Sequence, residues 1–218
     1  MNKLFLFFAV ILIISFHSCR KSCRKAYDFV VPVKVYSAND TLSVKDTLWV
    51  EMDFSDKVLD YQTNQTYTLE NFDFKTAVIL RRIEYDTSNT VGQPGAYNKF
   101  DFVNKIGAIN DWSHEEIGWG ILRPVYENNR YRLKAGFIPN DTGVFFIYFF
   151  RDMLSVRSDP IKVLDNNCEE YMSFMRVLVN DGNTNFDLLQ RKSKLREVRD
   201  EITIWQDSKA TYTFYVKP

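Results

Sequence analysis

Few residues of this chain are of the types that perform acid–base or nucleophilic catalysis. It has two histidines: His17 lies in an apolar N-terminal segment, and His114 lies in the stretch Asp-Trp-Ser-His-Glu-Glu. That stretch is typical of a helix start, with Asp111 or Ser113 as the cap and acidic residues in the first turn. A serine, a histidine and an acid on one turn cannot reach the geometry of a catalytic triad. We therefore expect a structural role for His114 and a protein that is not an enzyme.

The sequence indicates no metal or cofactor site. It has no Cys-x-x-Cys and no His-Glu-x-x-His spacing, which are common in transition-metal sites. The loop acids Asp53, Asp56 and Asp60, and the pair Asn140 and Asp141, lack the spacing of a calcium loop. There is no glycine-rich phosphate loop. A hydrolase that uses two carboxylates stays open as an alternative function, because the spacing of such a pair is three-dimensional.

Aromatic side chains are the one class in surplus, with 18 Phe, 12 Tyr and 4 Trp. Four of them lie in or beside predicted turns and are our candidate binding residues: Trp112, Trp119, Tyr126 and Tyr131. Exposed rings at such positions could stack on sugars or anchor a protein partner, whereas core packing explains most other aromatic residues. The 28 basic residues equal the 28 acidic ones, so we expect no nucleic-acid partner.

The first 18 residues have the pattern of a secretory signal peptide. Lys3 supplies a positive charge, residues 4–16 carry no charge, and the small residue Ser18 precedes Cys19. The apolar run is shorter than the roughly 20 residues that a membrane-spanning helix needs. We predict that residues 1–18 are a signal peptide and not part of the fold.

The apolar run, Ser18 and Cys19 together resemble the lipobox of bacterial lipoproteins. That resemblance implies that Cys19 is acylated and becomes the new N-terminus, with residues 19–27 as a tether to the membrane. The alternative is an ordinary signal cut nearby, which would leave Cys19 or Cys23 for a disulfide. Arg20 stands where the Asp of an inner-membrane retention signal would be. The expected location is therefore the outer membrane. Lipoproteins exported to the cell surface in Bacteroidota tend to carry acidic residues just after the cysteine, whereas basic residues follow Cys19. We therefore expect the periplasmic face, with cell-surface exposure as the alternative.

In composition and layout the chain resembles the small lipoproteins of Bacteroidota. The predicted lipid anchor, the fold signals and the absence of a convergent set of reactive residues together favour a cell-envelope protein that acts as a non-catalytic binding or scaffolding module. Its expected partner is an envelope protein, and a glycan-binding module that uses the four turn aromatics is the alternative.

Two further cysteines, Cys23 and Cys168, remain if Cys19 carries a lipid. An oxidising compartment would allow them to form a disulfide, which could stabilise the fold by roughly 4–5 kcal/mol. Because Cys23 falls in the predicted tether, we expect free thiols, with the disulfide as the alternative.

The middle of the chain has the period-two pattern of β-strands. Leu48, Val50, Met52 and Phe54 alternate with polar residues, which predicts a strand with one buried face. Further strands are predicted at residues 29–36, 74–85, 118–127, 131–138 and 143–150, and Asn128-Asn129 is a typical hairpin turn. Several short strands separated by turns favour a sandwich or a barrel.

Two short stretches resemble parts of immunoglobulin-like domains. Residues 44–50 resemble the start of strand B in such domains of bacterial envelope proteins. Residues 140–145 are similar to the Asp-x-Gly-x-Tyr turn into strand F, with Phe145 in place of the tyrosine. The resemblance implies an immunoglobulin-like β-sandwich over residues 28–164.

The pattern changes after Asp165. Apolar residues recur there at helical spacing, at Tyr171, Phe174, Met175, Leu178 and Val179, which predicts an amphipathic helix. A second helix is predicted at residues 186–199, and a final strand at 211–216. The strand at 144–150 is apolar on both faces and must be covered on both sides. We therefore predict that the first helix packs on one sheet, and that residues 165–218 form a helical extension within the same domain.

Overall fold

Two β-sheets share one hydrophobic core in the computed structural model, which describes residues 23–38, 41–74, 76–83, 95–114, 119–151, 168–192 and 209–218. The prediction of a mainly β protein is thereby confirmed. The predicted signal peptide and Cys19 lie outside the described residues. Within those residues, none of the helices has the length and apolar character needed to cross a bilayer.

The first sheet has eight strands. Six follow one another in space: β10 (Val125–Glu127), β11 (Arg130–Pro139), β3 (Leu48–Ser55), β1 (Arg24–Tyr36), β4 (Lys57–Asp60) and β5 (Gln65–Thr68). Two more attach beside this path: β7 (Phe100–Ile106) pairs with β11, and β13 (Glu169–Val179) runs parallel to β1. The long strand β1 lies at the centre, because its first part pairs with β13 and its last part with β3.

The second sheet has six strands. In spatial order they are β2 (Leu42–Ser43), β14 (Thr211–Lys217), β12 (Gly143–Arg151), β6 (Thr76–Ile83), β9 (Trp119–Arg123) and β8 (Ala108–His114). Phe145 of β12 packs between the two sheets. Its ring centroid lies 5.1 Å from that of Phe100 in the first sheet and 5.7 Å from that of Phe214 in the second. The alternating strand predicted at Leu48–Phe54 and the final strand are confirmed.

The predicted helix at residues 171–179 is wrong, because this segment is strand β13. Its buried residues are Met172, Met175, Val177 and Val179, while Ser173 and Phe174 are both exposed. A bulge places Ser173 as an extra residue opposite the junction of Tyr27 and Asp28, which interrupts the alternation of a strand. The interrupted alternation imitates helical spacing in the sequence.

Helix is limited to short pieces in the described part of the chain. A 3₁₀ turn spans Asn180–Gly182, another spans Tyr97–Lys99, and the one α-helix there, α1, spans Phe186–Lys192. Phe186 packs against Ile83, Val144 and Phe146, so α1 covers the face of β12 that points away from the main core. From the sequence, this covering role was expected of the first predicted helix. The remainder of the second predicted helix lies outside the described residues.

The stretch around His114 is also not a helix start. Strand β8 extends to His114, which pairs with Trp119 of β9. Pairing with β9 therefore determines the backbone conformation of this stretch. The capping pattern of Asp111 and Ser113 has no such effect.

A disulfide joins Cys23 to Cys168, with a Cα–Cα distance of 4.5 Å, so the expectation of free thiols is wrong. The parallel pairing brings the two cysteines together, because Arg24 lies opposite Glu169 and the Glu169 N–H donates to the Cys23 carbonyl at 2.8 Å. The folded chain also begins earlier than expected. Strand β1 starts at Arg24, within the segment that the sequence assigned to the tether.

Replacing both cysteines, as Cys23→Ser with Cys168→Ser, should lower the free energy of unfolding by about 2–5 kcal/mol, because the unfolded chain gains the freedom that the crosslink removes. Urea denaturation of both proteins, with and without reductant, measures this. Reductant should destabilise the wild type and leave the double variant unchanged. Superimposable curves for all four samples would contradict the prediction.

Candidate interaction surface

The outer face of the first sheet carries a row of side chains across β13, β1 and β4. Phe174 lies opposite Asp28 in the parallel pairing. The N–H of Tyr61, directly after β4, donates to the Asp28 carbonyl oxygen at 2.8 Å, which places Tyr61 on the other side of Asp28. Phe174 and Tyr61 are 54% and 58% exposed. Two large aromatic rings thus flank Asp28 on the surface of the sheet.

The neighbouring rows continue this surface with mostly apolar residues. Arg176 lies opposite Val30 and Leu178 opposite Pro32, while the register of Phe29 with Asp60 places Leu59 beside Val30. An outward sheet face is usually polar when it meets water. Here most outward positions are apolar, and we call the following set the Arg176 face: Asp28, Val30, Pro32, Leu59, Tyr61, Phe174, Arg176 and Leu178.

Arg176 lies at the centre of this face in a fixed arrangement. Its Nε donates to Asp28 Oδ2 at 2.7 Å, and its Cζ lies 4.0 Å from the centroid of the Tyr61 ring and 5.6 Å from that of Phe174. A guanidinium gains both from the ion pair and from the faces of aromatic rings. The Arg176 side chain nevertheless stays 43% exposed, whereas that of Asp28 is 3% exposed.

Asp28 depends on Arg176 for its charge balance. Its Oδ1 is buried and has no hydrogen-bond partner within the described ranges, so the Arg176 contact through Oδ2 is what offsets the desolvation of this carboxylate. Breaking a buried ion pair by removing one partner is strongly destabilising. The sheet thus holds Arg176 in place, and Arg176 in turn stabilises the buried acid.

A second buried acid, Asp60, supports the same region from below. Its Oδ1 accepts the Asp28 N–H at 2.7 Å, and its Oδ2 accepts the N–H and the hydroxyl of Thr63 at 3.0 and 2.6 Å. Burial alone would raise the pKa of Asp60, but the hydrogen bonds from Thr63 and Asp28 outweigh it and hold the pKa below its usual value. These bonds fix the turn after β4, which carries Tyr61.

Two of the four predicted binding aromatics, Tyr126 of β10 and Tyr131 of β11, lie together towards the edge of the first sheet that is opposite to β4. Tyr131 is 1% exposed, and its hydroxyl donates to the Leu69 carbonyl and accepts the Phe72 N–H, both at 2.5 Å. Burial raises its pKa to about 12. Tyr126 is half-buried, packs on Tyr131 and donates to Asp56 Oδ2 at 2.9 Å. Tyr131 is a core residue in this structure, and Tyr126 closes the core beside it.

The other predicted site residues lie partly or wholly outside the described residues. Trp112 lies in β8 and Trp119 in β9, which are adjacent strands, and the side chains of both lie outside the described part. Cys19 lies outside it as well. Among the described residues, no group of histidine, cysteine and acidic side chains is arranged to hold a metal ion.

Sequence reasoning missed the residues that form the Arg176 face. Phe174 was placed on the apolar stripe of a predicted helix, and no role was predicted for Tyr61. The alternation of large side chains at Phe174, Arg176 and Leu178 was a usable signal, because residues two apart share one side of a strand.

No family model matches the chain, and no curated protein matches it. Among solved structures, it is similar to the human F-spondin reeler domain, with 9% sequence identity and a TM-score of 0.30 over 72% of this chain and 91% of that chain. It is also similar to a chain of a type II cohesin–X-dockerin complex from Acetivibrio cellulolyticus, with 10% identity and a TM-score of 0.32 over 68% of this chain and 95% of that chain. Likenesses this distant assign no function.

The substitution Asp60→Asn should lower the free energy of unfolding at pH 7 by about 2 kcal/mol, because charge-assisted hydrogen bonds are weakened. The folded-state pKa lies below the value of about 3.9 for an unfolded aspartate. The stabilisation is therefore complete at neutral pH and is lost as the pH falls through the folded-state pKa.

Urea denaturation at pH 7 and at a series of acidic pH values measures this, and the gap between wild type and variant should narrow in acid. The matched control is Asp187→Asn, an exposed carboxylate paired with Arg191, with an expected effect below about 0.5 kcal/mol. Equal effects of the two substitutions would count against the role given to Asp60.

Proposed function

We propose that this protein is an exported, lipid-anchored envelope protein that binds a protein partner and has no catalytic role. The observation that carries this proposal is the Arg176 face, where Phe174 and Tyr61 are more than half exposed on the outside of a sheet. Contiguous exposed apolar surface usually marks an interaction site. Aromatic residues and arginine are the types enriched at the centres of protein interfaces.

Export is supported by the disulfide between Cys23 and Cys168. Disulfides persist in oxidising compartments such as the periplasm, which agrees with the signal pattern of the first 18 residues. In the sequence, Arg20, Lys21 and Ser22 stand between Cys19, which carries the proposed lipid, and the disulfide-bonded Cys23. We propose the periplasmic side of the outer membrane as the location.

We propose an immunoglobulin-like β-sandwich, and the two sheets around one shared core support it. Such sandwiches commonly serve as binding modules, and their function resides in the surface they present.

A protein partner fits the Arg176 face better than a glycan does. Apart from Arg176 and the Tyr61 hydroxyl, the exposed side chains of the face are apolar, and the exposed Lys57 lies beside it. Sugar hydroxyls buried against Leu59, Val30 or Pro32 would lose hydrogen bonds to water without replacement. Of the four aromatic side chains proposed for sugar stacking, the two whose side chains are described give little support, since Tyr131 is buried and Tyr126 is half-buried.

The substitution Cys19→Ala should abolish metabolic labelling with palmitate, because it removes the acylated sulfur. Labelled cells would be analysed by immunoprecipitation of the full chain. The matched control is Cys23→Ser, which removes the neighbouring cysteine and should keep the label on the protein. Label that persists in Cys19→Ala would contradict the lipid anchor.

A photo-crosslinking amino acid at Leu59, on the Arg176 face, should capture one protein in near-equal amount in living cells. The matched control carries the same amino acid at Glu127, an exposed residue of β10 at the far edge of the sheet. Mass spectrometry identifies the conjugate, and the same amino acid in the partner should return this chain. Capture of many proteins alike from both positions, of glycans, or of nothing would contradict a protein-binding face.

A further inference from the structure

Most hydrogen-bond donors of the Arg176 guanidinium make no hydrogen bond to the described residues. The group has five N–H donors, and the described structure gives it one hydrogen bond, from Nε to Asp28 Oδ2 at 2.7 Å. The terminal amino groups find no acceptor among the described residues. Because 43% of the side chain is exposed, these donors are accessible from outside the protein.

The guanidinium is held in a position that suits binding. The ion pair with Asp28 fixes one edge, and the Tyr61 ring covers one face at 4.0 Å. A partner therefore does not have to order a flexible side chain first, and ordering such a side chain usually costs part of the binding energy. The apolar residues around it would exclude water once a partner covers them, which strengthens charged hydrogen bonds.

The charges of the surface point to an acidic partner group. Arg176 is the exposed charge of the face, and Lys57, also exposed, lies two residues before Leu59 and hence on the same side of β4. Asp28, the acid of the face, is buried and already paired. A carboxylate fits the free edge of a guanidinium with two parallel hydrogen bonds.

We propose that Arg176 is the receptor for a carboxylate side chain, Asp or Glu, of the partner protein, with the Tyr61 and Phe174 rings packing around it. The inference rests on the proposed function and adds to it the chemistry of the contact. In the bound state the guanidinium bridges two acids, Asp28 of this chain and the carboxylate of the partner.

The first test combines the photo-crosslinking amino acid at Leu59 with Arg176→Lys. Lysine keeps a cation beside Asp28 but has no planar pair of donors, so the yield of the partner conjugate should fall at least about tenfold. The matched control is Arg130→Lys, an exposed arginine of the same sheet that pairs with Asp53, and it should keep the yield. Urea denaturation of each variant reports whether the fold is retained.

The second test uses the unmodified protein, so it does not depend on a variant that folds. Nitrogen-15 NMR signals of the Arg176 side chain are followed while 3-phenylpropionate or its neutral amide is added. Only the carboxylate should give a saturable shift, and the Arg130 signals should stay unchanged. Equal responses to acid and amide, or no response, would overturn the inference.

The outcomes separate the two proposals. If Leu59 captures a protein and Arg176→Lys captures it equally well, the carboxylate receptor is wrong and the protein-binding face stands. If Leu59 captures no protein, the proposed function fails. A stronger NMR response to glucuronate than to 3-phenylpropionate would favour an acidic sugar and overturn the choice of a protein carboxylate.

Discussion

The parallel pairing of β1 with β13 is the constraint on which the interior and the outer face of the first sheet both depend. It joins segments separated by 145 residues and aligns three pairs of side chains, namely Cys23 with Cys168, Tyr27 with Glu170, and Asp28 with Arg176. The first pair is covalent, and the second is a buried hydrogen bond of 2.8 Å in which burial raises the pKa of Tyr27. The third balances a buried charge and creates the centre of the proposed interface.

The antiparallel strands were predictable because each depends on a local pattern. Leu48 to Phe54 alternates cleanly, and Asn128 and Asn129 both take the positive φ of a tight hairpin turn. Strand β13 was not predictable in the same way. Its partner strand is distant in the sequence. Because of the bulge at Ser173, the next buried methionine after Met172 is Met175, and this spacing of three residues also occurs on a helix face.

The candidate surface was harder to predict than the fold. A turn aromatic can point inward or outward, and Tyr131 points inward because its hydroxyl finds backbone partners at Leu69 and Phe72. Phe174 and Tyr61 become neighbours only when β13, β1 and β4 align. The fixed position of the Arg176 side chain likewise depends on its ion pair with Asp28. Asp28 in turn is buried by residues that are remote from it in the sequence. The sequence of one segment indicates whether that segment forms a strand, but it does not indicate which residues of other strands lie beside it.

The disulfide also determines how the domain would carry mechanical load. A pull on the N-terminal side of the domain arrives at Cys23, and the bond to Cys168 passes part of that force directly into β13. Both strands are then loaded from the same end and in the same direction, so they do not slide past each other. The register of Phe174 opposite Asp28 would therefore survive tension, which suits the proposed role of a domain that is tethered at one end and holds a partner.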